Sequence, residues 1–320
     1  MDIITTQQLN KTFDRHIKTG WFKKEKQPFV AVNNIDLNIQ SGEKVAFIGP
    51  NGAGKSTTLK MLTGILQPTS GKATVAGHTP WKDRKKLAYE IGAVFGQRSQ
   101  LWPNIDIAKA LEIVGYIYDL DKATIERRIA QLSEMLEIED LLQQTAKSLS
   151  LGQRMRCEIA VSLLHKPKII LLDEPTIGLD VNAKASLRDH LKTMANEEET
   201  TIMLTSHDTG DIEEICDRVI MINHGQIVID KNINELKGDF ESRKFLTLIT
   251  EEAEPKIDLP DVEIIEQKQH KIVLGINRNN ASLRETIASA MSQINVQDMT
   301  IENAPLEKII QDLYARGTET

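Results

Sequence analysis

The run Gly49–Thr57, GPNGAGKST, constrains the fold of this chain more than any other stretch of its sequence. A short apolar run at 44–48 precedes it, and helix-compatible residues at 57–62 follow it. This order predicts a strand, a glycine loop and a helix. The three glycines of the loop let successive backbone N–H groups curl around a phosphate, which Cβ atoms would obstruct. The loop therefore predicts a phosphate site at a strand–helix junction.

Two side chains of the loop add specific chemistry to this phosphate site. Lys55 directs a full positive charge toward the β and γ phosphates of a nucleotide, and the Ser56 hydroxyl can bind Mg²⁺. The helix that follows points its positive end at the same phosphates. We therefore expect ATP and Mg²⁺ as ligands. The residues expected to hold the nucleotide are Gly49, Pro50, Asn51, Gly52, Ala53, Gly54, Lys55, Ser56 and Thr57.

Polar residues follow two further apolar runs that are typical of buried parallel strands. Asp173 and Glu174 come after 169–172, at the sheet edge where α/β folds bind ligands. There Asp173 can hold Mg²⁺, directly or through water, and Glu174 can orient and deprotonate an attacking water. An acidic pair after a strand is by itself more typical of a helix N-cap, and the phosphate loop is what favours the catalytic interpretation. His207 follows the run 201–204, where a histidine can hydrogen-bond the γ phosphate.

The length of 320 residues suggests two domains, at about 150 residues each. Between 98 and 165 the pattern is helical, which predicts an α-rich insertion, and Arg218–Ile229 has the pattern of a hairpin. Because the composition changes after 237–239, we expect one domain at 1–240 and a second at 241–320.

Alternating strand and helix patterns predict a small α+β unit for the second domain. Its strand-like runs are 245–249, 262–265, 272–276 and 298–301. The apolar face predicted for its first helix comprises Leu283, Ile287, Met291 and Ile294. It contains no residue cluster that predicts catalysis.

Charge and hydropathy exclude other classes of function. The net charge of −7 argues against a nucleic-acid partner, because binders of phosphate backbones usually carry a basic surface. The local basic cluster at 18–26 is interpreted as a solvated surface loop. No stretch approaches the roughly 18 consecutive apolar residues of a membrane span, and no secretory signal is evident at the N-terminus.

The order of motifs along 3–237 resembles that of ATP-binding-cassette (ABC) nucleotide-binding domains. The segments that carry the resemblance are Gly49–Thr57, Val94–Gln97, Leu149–Gln153, Asp173–Thr176, Gly178–Asp180 and His207. Leu149–Gln153 is the most discriminating, because other P-loop ATPases lack this signature. More narrowly, the chain is similar to ATPase subunits of bacterial ABC-2, multidrug-type exporters. The resemblance implies an α/β fold: a RecA-like P-loop NTPase core with an antiparallel β subdomain, an α-helical ABC subdomain and a small C-terminal α+β domain.

The resemblance also implies roles for individual residues. Gln97 would bind Mg²⁺ and couple it, with the attacking water, to the helical subdomain. Ser150 and Gly152 would contact the γ phosphate of ATP held by the opposite subunit, and Gln153 would belong to the same nucleotide-binding turn. Asp180 would lie in the loop that crosses between subunits. The residues implied in catalysis are Glu174, His207, Gln97 and Lys55, and those implied in metal binding are Ser56, Gln97 and Asp173.

Two positions are less well specified by the resemblance. An aromatic residue near the N-terminus would stack on adenine; Phe13 fits best, and Phe29 is the alternative because the insertion around 18–26 blurs the alignment. The usual second glycine of the signature is Leu151 here. Since the backbone N–H survives this change, we expect a working site with altered packing.

A chain with one P-loop and no membrane span is expected to work with partners. The resemblance implies a second nucleotide-binding subunit, in a homodimer or a heterodimer, and a separate membrane permease. The segment Gln97–Trp102 and the helical insertion would contact that permease, so the chain would lie peripherally on the cytoplasmic face of the membrane. Alternatives are an importer subunit and an ABC ATPase without a transport role. A P-loop kinase would not account for the signature or for the setting of His207.

Overall fold

The structure is a computed structural model, which describes residues 1–18, 24–95, 99–197, 199–238, 243–253, 255, 257–259, 262–277, 282–303 and 305–316. It divides into two compact units, Met1–Lys231 and Asn232–Thr320. This boundary differs from the expected one at 240 by one short helix, Ile233–Gly238, which belongs to the second unit.

The first unit holds ten strands and seven α-helices among its described residues. The strands are β1 (Asp2–Lys18), β2 (Lys24–Ile35), β3 (Asn38–Gln40), β4 (Lys44–Ile48), β5 (Ser70–Val75), β6 (Ile91–Phe95), β7 (Ile169–Asp173), β8 (Thr201–Thr205), β9 (Arg218–Asn223) and β10 (Gln226–Asn232). The helices are α1 (Lys55–Leu62), α2 (Arg84–Ala88), α3 (Ile107–Ile117), α4 (Lys122–Met135), α5 (Leu151–Leu163), α6 (Val181–Glu197) and α7 (Thr209–Ile215).

Two sheets organise this unit. The first is antiparallel: β1 pairs with β2, β3 and β5, and it forms the expected antiparallel subdomain. The second has six strands in the order β10-β9-β4-β8-β7-β6, and the pairs from β9 to β6 are parallel. Its central strands β4, β7 and β8 are almost wholly buried, because apolar residues fill both faces. The carboxyl ends of these strands therefore meet at one edge of the sheet.

Local sequence explains the elements that border this edge. The expected hairpin is β9–β10, and its two-residue turn His224-Gly225 has φ of 45° and 80°, as a type I′ turn requires. The predicted α-rich insertion is present as α3, α4 and α5. A single apolar cluster links the antiparallel sheet to the central sheet, with Phe47 and Leu59 among its fully buried members.

The second unit has the predicted α+β composition. Its elements are α8 (Ile233–Gly238), β11 (Arg243–Thr250), β12 (Val262–Lys268), β13 (Lys271–Asn277), α9 (Leu283–Gln293), β14 (Val296–Asn303) and α10 (Leu306–Arg316). Its four strands form an antiparallel sheet in the order β12-β13-β11-β14. The predicted buried face of α9 was wrong at Met291, which is 53% exposed, since Ala290 takes the buried position one residue earlier.

Candidate nucleotide site

The glycine loop lies between β4 and α1, as the sequence predicts. Two of its glycines have no substitute that fits. Gly54 has φ of +111°, and a Cβ there would lie 2.5 Å from the Ala31 carbonyl oxygen. A Cβ at Gly49 would lie 2.2 Å from the Ile222 carbonyl oxygen. The neighbouring strands β2 and β9 thus close directly on the loop and hold it against the start of α1.

Lys55 is the buried cation of this loop. Its side chain is 6% exposed, and Nζ donates to the carbonyl oxygens of Gly49 at 2.6 Å and Pro50 at 3.3 Å. Burial lowers the pKa of Lys55 below its ordinary value, while the charges of Glu174 and Asp173 act to raise it. Both carboxylates therefore lie close enough to act on Lys55, so the loop and the acidic pair form a single site.

Asp173, the last residue of β7, contacts Ser56 in the first turn of α1. Ser56 Oγ donates to Asp173 Oδ1 at 3.3 Å, and Thr205 Oγ1 donates to the same oxygen at 2.7 Å. Hydroxyl and carboxylate oxygens are the ligands that Mg²⁺ prefers, usually one or two of them together with water and substrate phosphates. The two predicted metal ligands therefore fit that ion. The third, Gln97, lies outside the described residues.

Glu174 and His207 face each other at the neighbouring strand ends. The Nε2 atom of His207 lies 3.1 Å from Oε1 of Glu174, and the side chains are 43% and 27% exposed. Glu174 has φ of +55°, an uncommon conformation for a residue with a side chain. Its backbone N–H donates to the Thr205 carbonyl at 3.1 Å and to Thr205 Oγ1 at 3.0 Å. A carboxylate and an imidazole at this distance can pass a proton or share one hydrogen bond.

Thr205 is a residue of this site that sequence reasoning missed. It is fully buried at the end of β8 and is bonded to both members of the acidic pair. The register of the sheet aligns Asp173 with Thr205. A threonine at a strand end carries no motif of its own, so the only available signal was its position two residues before His207.

The signature residues form the first turn of α5. Ser150 is its N-cap: Ser150 Oγ accepts from the Gln153 N–H at 3.2 Å, and Gln153 Oε1 accepts from the Ser150 N–H at 2.9 Å. Leu151, the departure from the family pattern, is 37% exposed. Its Cδ2 lies 2.9 Å from the place of a Cβ on Gly178. The Leu151 side chain is therefore directed over the loop that precedes α6, and the turn keeps its capping box.

Gly152 and Asp180 border the same loop. A Cβ on Gly152 would lie 3.1 Å from the Ala183 Cβ, so a larger residue would push α5 and α6 apart. Asp180 is exposed, and its Oδ1 accepts from the Ala183 N–H at 2.9 Å, as a helix N-cap does. Within this chain, the Asp180 side chain therefore caps the N-terminus of α6.

The two aromatic candidates for adenine stacking are cross-strand partners. Phe13 of β1 lies directly opposite Phe29 of β2, so both side chains share one face of the ribbon. Phe13 is 36% exposed, and Lys11 Nζ lies 5.2 Å from its ring centroid. A partly exposed ring with a cation above it is available for stacking.

Phe13→Ala is expected to weaken ATP binding without abolishing it. Base–aromatic stacking contributes about 1–3 kcal/mol per base in single-strand binders, and Lys55 and the glycine loop remain intact. Titration with a fluorescent ATP analogue measures the change. Phe29→Ala is the matched control. If Phe29→Ala weakens binding while Phe13→Ala does not, the stacking role belongs to Phe29.

No helix among the described residues is both long enough and apolar enough to cross a membrane.

The ABC transporter family profile matches residues 32–177. The ABC transporter ATP-binding protein NatA of Bacillus subtilis is 34% identical over 207 residues, 65% of this chain and 84% of that protein. The linearmycin resistance ATP-binding protein LnrL of the same species is 27% identical over 318 residues, 94% of this chain and 97% of that protein.

The fold of this chain is also similar to that of a solved ATP-binding protein. It is an ATP-binding cassette in a dimeric, post-hydrolysis state bound to ADP and Pi, 27% identical, with a TM-score of 0.62 over 72% of this chain and 98% of that one. The fold of this chain is thus similar to that of an ATP-binding cassette solved with the products of ATP hydrolysis. The chain belongs to the ABC transporter family and is one of its ATP-binding, ATP-hydrolysing proteins.

Proposed function

We propose that this chain energises export by a separate membrane permease, as one of two ATP-binding subunits that close on ATP. The observation that carries the ATP-hydrolysing part of this proposal is the contact of Glu174 Oε1 with His207 Nε2 at 3.1 Å, beside the buried Lys55. This arrangement provides a base, a polar partner for the base and a cation within one site, which are the elements of phosphoryl transfer to water.

Each side chain has a distinct part in the proposed hydrolysis. Glu174 accepts the proton of the attacking water, and His207 orients Glu174 and contacts the terminal phosphate. Lys55 stabilises charge on the phosphoryl oxygens, and its buried position strengthens that effect. Mg²⁺ would be held by Ser56 and by Asp173, which Thr205 keeps in place. When bound, Mg²⁺ supplies charge neutralisation on the phosphates.

The signature turn at Ser150–Gln153 is proposed to act on the nucleotide of the other subunit. The capping box fixes this turn at the start of α5, where the helix N-terminus favours an anion. The relative solved as a dimer with ADP and Pi supports the two-subunit arrangement.

Export is supported by a relative rather than by the site. LnrL, a relative that aligns over nearly the whole length of both chains, is named for linearmycin resistance. We propose a permease contact through the segment that ends at Trp102 and through the helical subdomain. Trp102, Tyr116 and Ile117 are 39%, 49% and 61% exposed there. The chain would then lie on the cytoplasmic face of the membrane.

Co-expression tests the partner directly. The chain should sediment with membranes when it is expressed with its membrane permease, and not when it is expressed alone. Trp102→Ala should reduce recruitment, whereas Ile301→Ala, at an exposed residue of the second unit, should leave it unchanged. Purified chain that pellets equally well with bare lipid vesicles would contradict permease-mediated attachment.

A further inference from the structure

Asp211, in the first turn of α7, is a fully buried carboxylate with three side-chain donors. Its Oδ2 accepts from Thr176 Oγ1 and from Ser206 Oγ, both at 2.5 Å. Its Oδ1 accepts from Arg188 Nε at 2.7 Å. A charged group is buried at this depth only where such donors hold it. The donors are therefore fixed in place by Asp211, and Asp211 by them.

The two hydroxyl donors come from the two loops that carry the proposed catalytic pair. Thr176 stands two residues after Glu174, and Ser206 stands directly before His207. A single oxygen of Asp211 thus joins the loop after β7 to the loop after β8. Along the chain, these two bonds therefore lie two residues from Glu174 and one residue from His207.

The other side of His207 is anchored to the same arginine. Asp208 accepts from Arg188 Nη2 at 2.9 Å and from Lys184 Nζ at 2.6 Å. Arg188 also pairs with Glu214 at 3.1 Å, and that glutamate is 48% exposed. The residues on both sides of His207 are therefore tied to α6 through Arg188, and the pair with Glu214 is the peripheral member of this network.

Glu174 and His207 need such support, because neither side chain is fixed by burial. They are 27% and 43% exposed. Glu174 also holds a positive φ, a conformation that persists where surrounding contacts determine it. The buried bonds to Asp211 supply contacts of this kind two residues away.

We propose that Asp211 is a positioning residue that sets the distance between Glu174 and His207 by binding Thr176 and Ser206. The inference rests on the proposed roles of Glu174 and His207 in hydrolysis. Asp211 itself does not touch the reacting atoms, because its side chain is fully buried within the protein. Its loss therefore lowers kcat and leaves ATP affinity, which depends on the glycine loop, unchanged.

Two substitutions at Thr176 separate a hydrogen-bonding role from a packing role. Thr176→Val keeps the shape of the side chain and removes the hydroxyl, and Thr176→Ser keeps the hydroxyl and removes a methyl group. We expect Thr176→Val to lower kcat about 10-fold or more, because misplacement by about 1 Å costs on the order of 100-fold. Thr176→Ser should retain most of the wild-type kcat. The ATP dissociation constant should change less than about two-fold in both.

The full chain is assayed for steady-state phosphate release and for binding of a fluorescent ATP analogue. Asp211→Asn should resemble Thr176→Val, and Glu214→Gln, which removes only the exposed partner of Arg188, should resemble wild type. A wild-type kcat in Thr176→Val, or a larger loss in Thr176→Ser than in Thr176→Val, overturns the inference. Full turnover in Glu174→Gln would instead overturn the proposed function, and the positioning role with it.

Discussion

Glu174→Gln is expected to bind ATP but to release phosphate at least about 100-fold more slowly than wild type. The amide cannot accept the proton of the attacking water, yet it matches the carboxylate in shape and can still contact His207 Nε2, which lies 3.1 Å from Glu174 Oε1. Two copies of the variant should therefore form a dimer around bound ATP, and this dimer should not dissociate. Phosphate release and size-exclusion chromatography with light scattering, both with ATP present, measure the two effects.

The control for this variant is Glu126→Gln, the same change at an exposed glutamate of α4 paired with Lys122. It should leave turnover and oligomeric state at wild-type values. Hydrolysis by Glu174→Gln at an unchanged rate would contradict the assignment of Glu174 as the base, whatever its contact with His207.

Lys55→Ala is expected to bind ATP roughly 10- to 100-fold more weakly than wild type. The reason is that a hydrogen bond to a charged group contributes about 1.5–3 kcal/mol of binding free energy. In the structure Nζ lies 2.6 Å from the Gly49 carbonyl oxygen, at the centre of the phosphate loop. Because burial lowers the pKa of Lys55, the folded chain already bears a cost for this cation. Its removal should therefore leave the thermal stability of the nucleotide-free protein unchanged or slightly higher.

Isothermal titration with ATP and thermal melts without nucleotide separate these two effects. Lys60→Ala, at an exposed lysine of the same helix α1, is the matched control and should keep wild-type affinity. Normal ATP binding by Lys55→Ala would contradict the phosphate role. A large fall in melting temperature would show that the lysine stabilises the fold instead.

The central features of the site could be predicted because they are local in the sequence. A strand, a glycine loop and a helix follow one another at 44–62, and loop glycines such as Gly54 have conformations that few other residues adopt. Asp173 and Glu174 directly follow an apolar run, and such a run in an α/β fold ends at the ligand-binding edge. No knowledge of strand order was needed for either prediction.

The residues behind the site could not be predicted, because they depend on strand order and helix packing. Thr205 meets Asp173 only because β8 lies beside β7 in the sheet. Asp211 meets Thr176 only because α7 packs against α6 and the loop after β7. Periodicity likewise placed Met291 on the buried face of α9, whereas packing buried the smaller Ala290.

The proposed function depends most directly on a composite ATP site, in which ATP bound to the P-loop of one subunit also contacts the signature turn of the other subunit. The test variant combines Ser150→Arg with Glu174→Gln and places a large cation at the first turn of α5. It also removes the N-cap of that helix, which lowers the free energy of unfolding by about 1 kcal/mol. The control combines Glu174→Gln with Ser282→Arg, at the exposed N-cap of α9. Light scattering with ATP should find a dimer in the control and a monomer that still binds ATP in the Ser150 variant. An ATP-dependent dimer of equal stability in both would contradict the composite site.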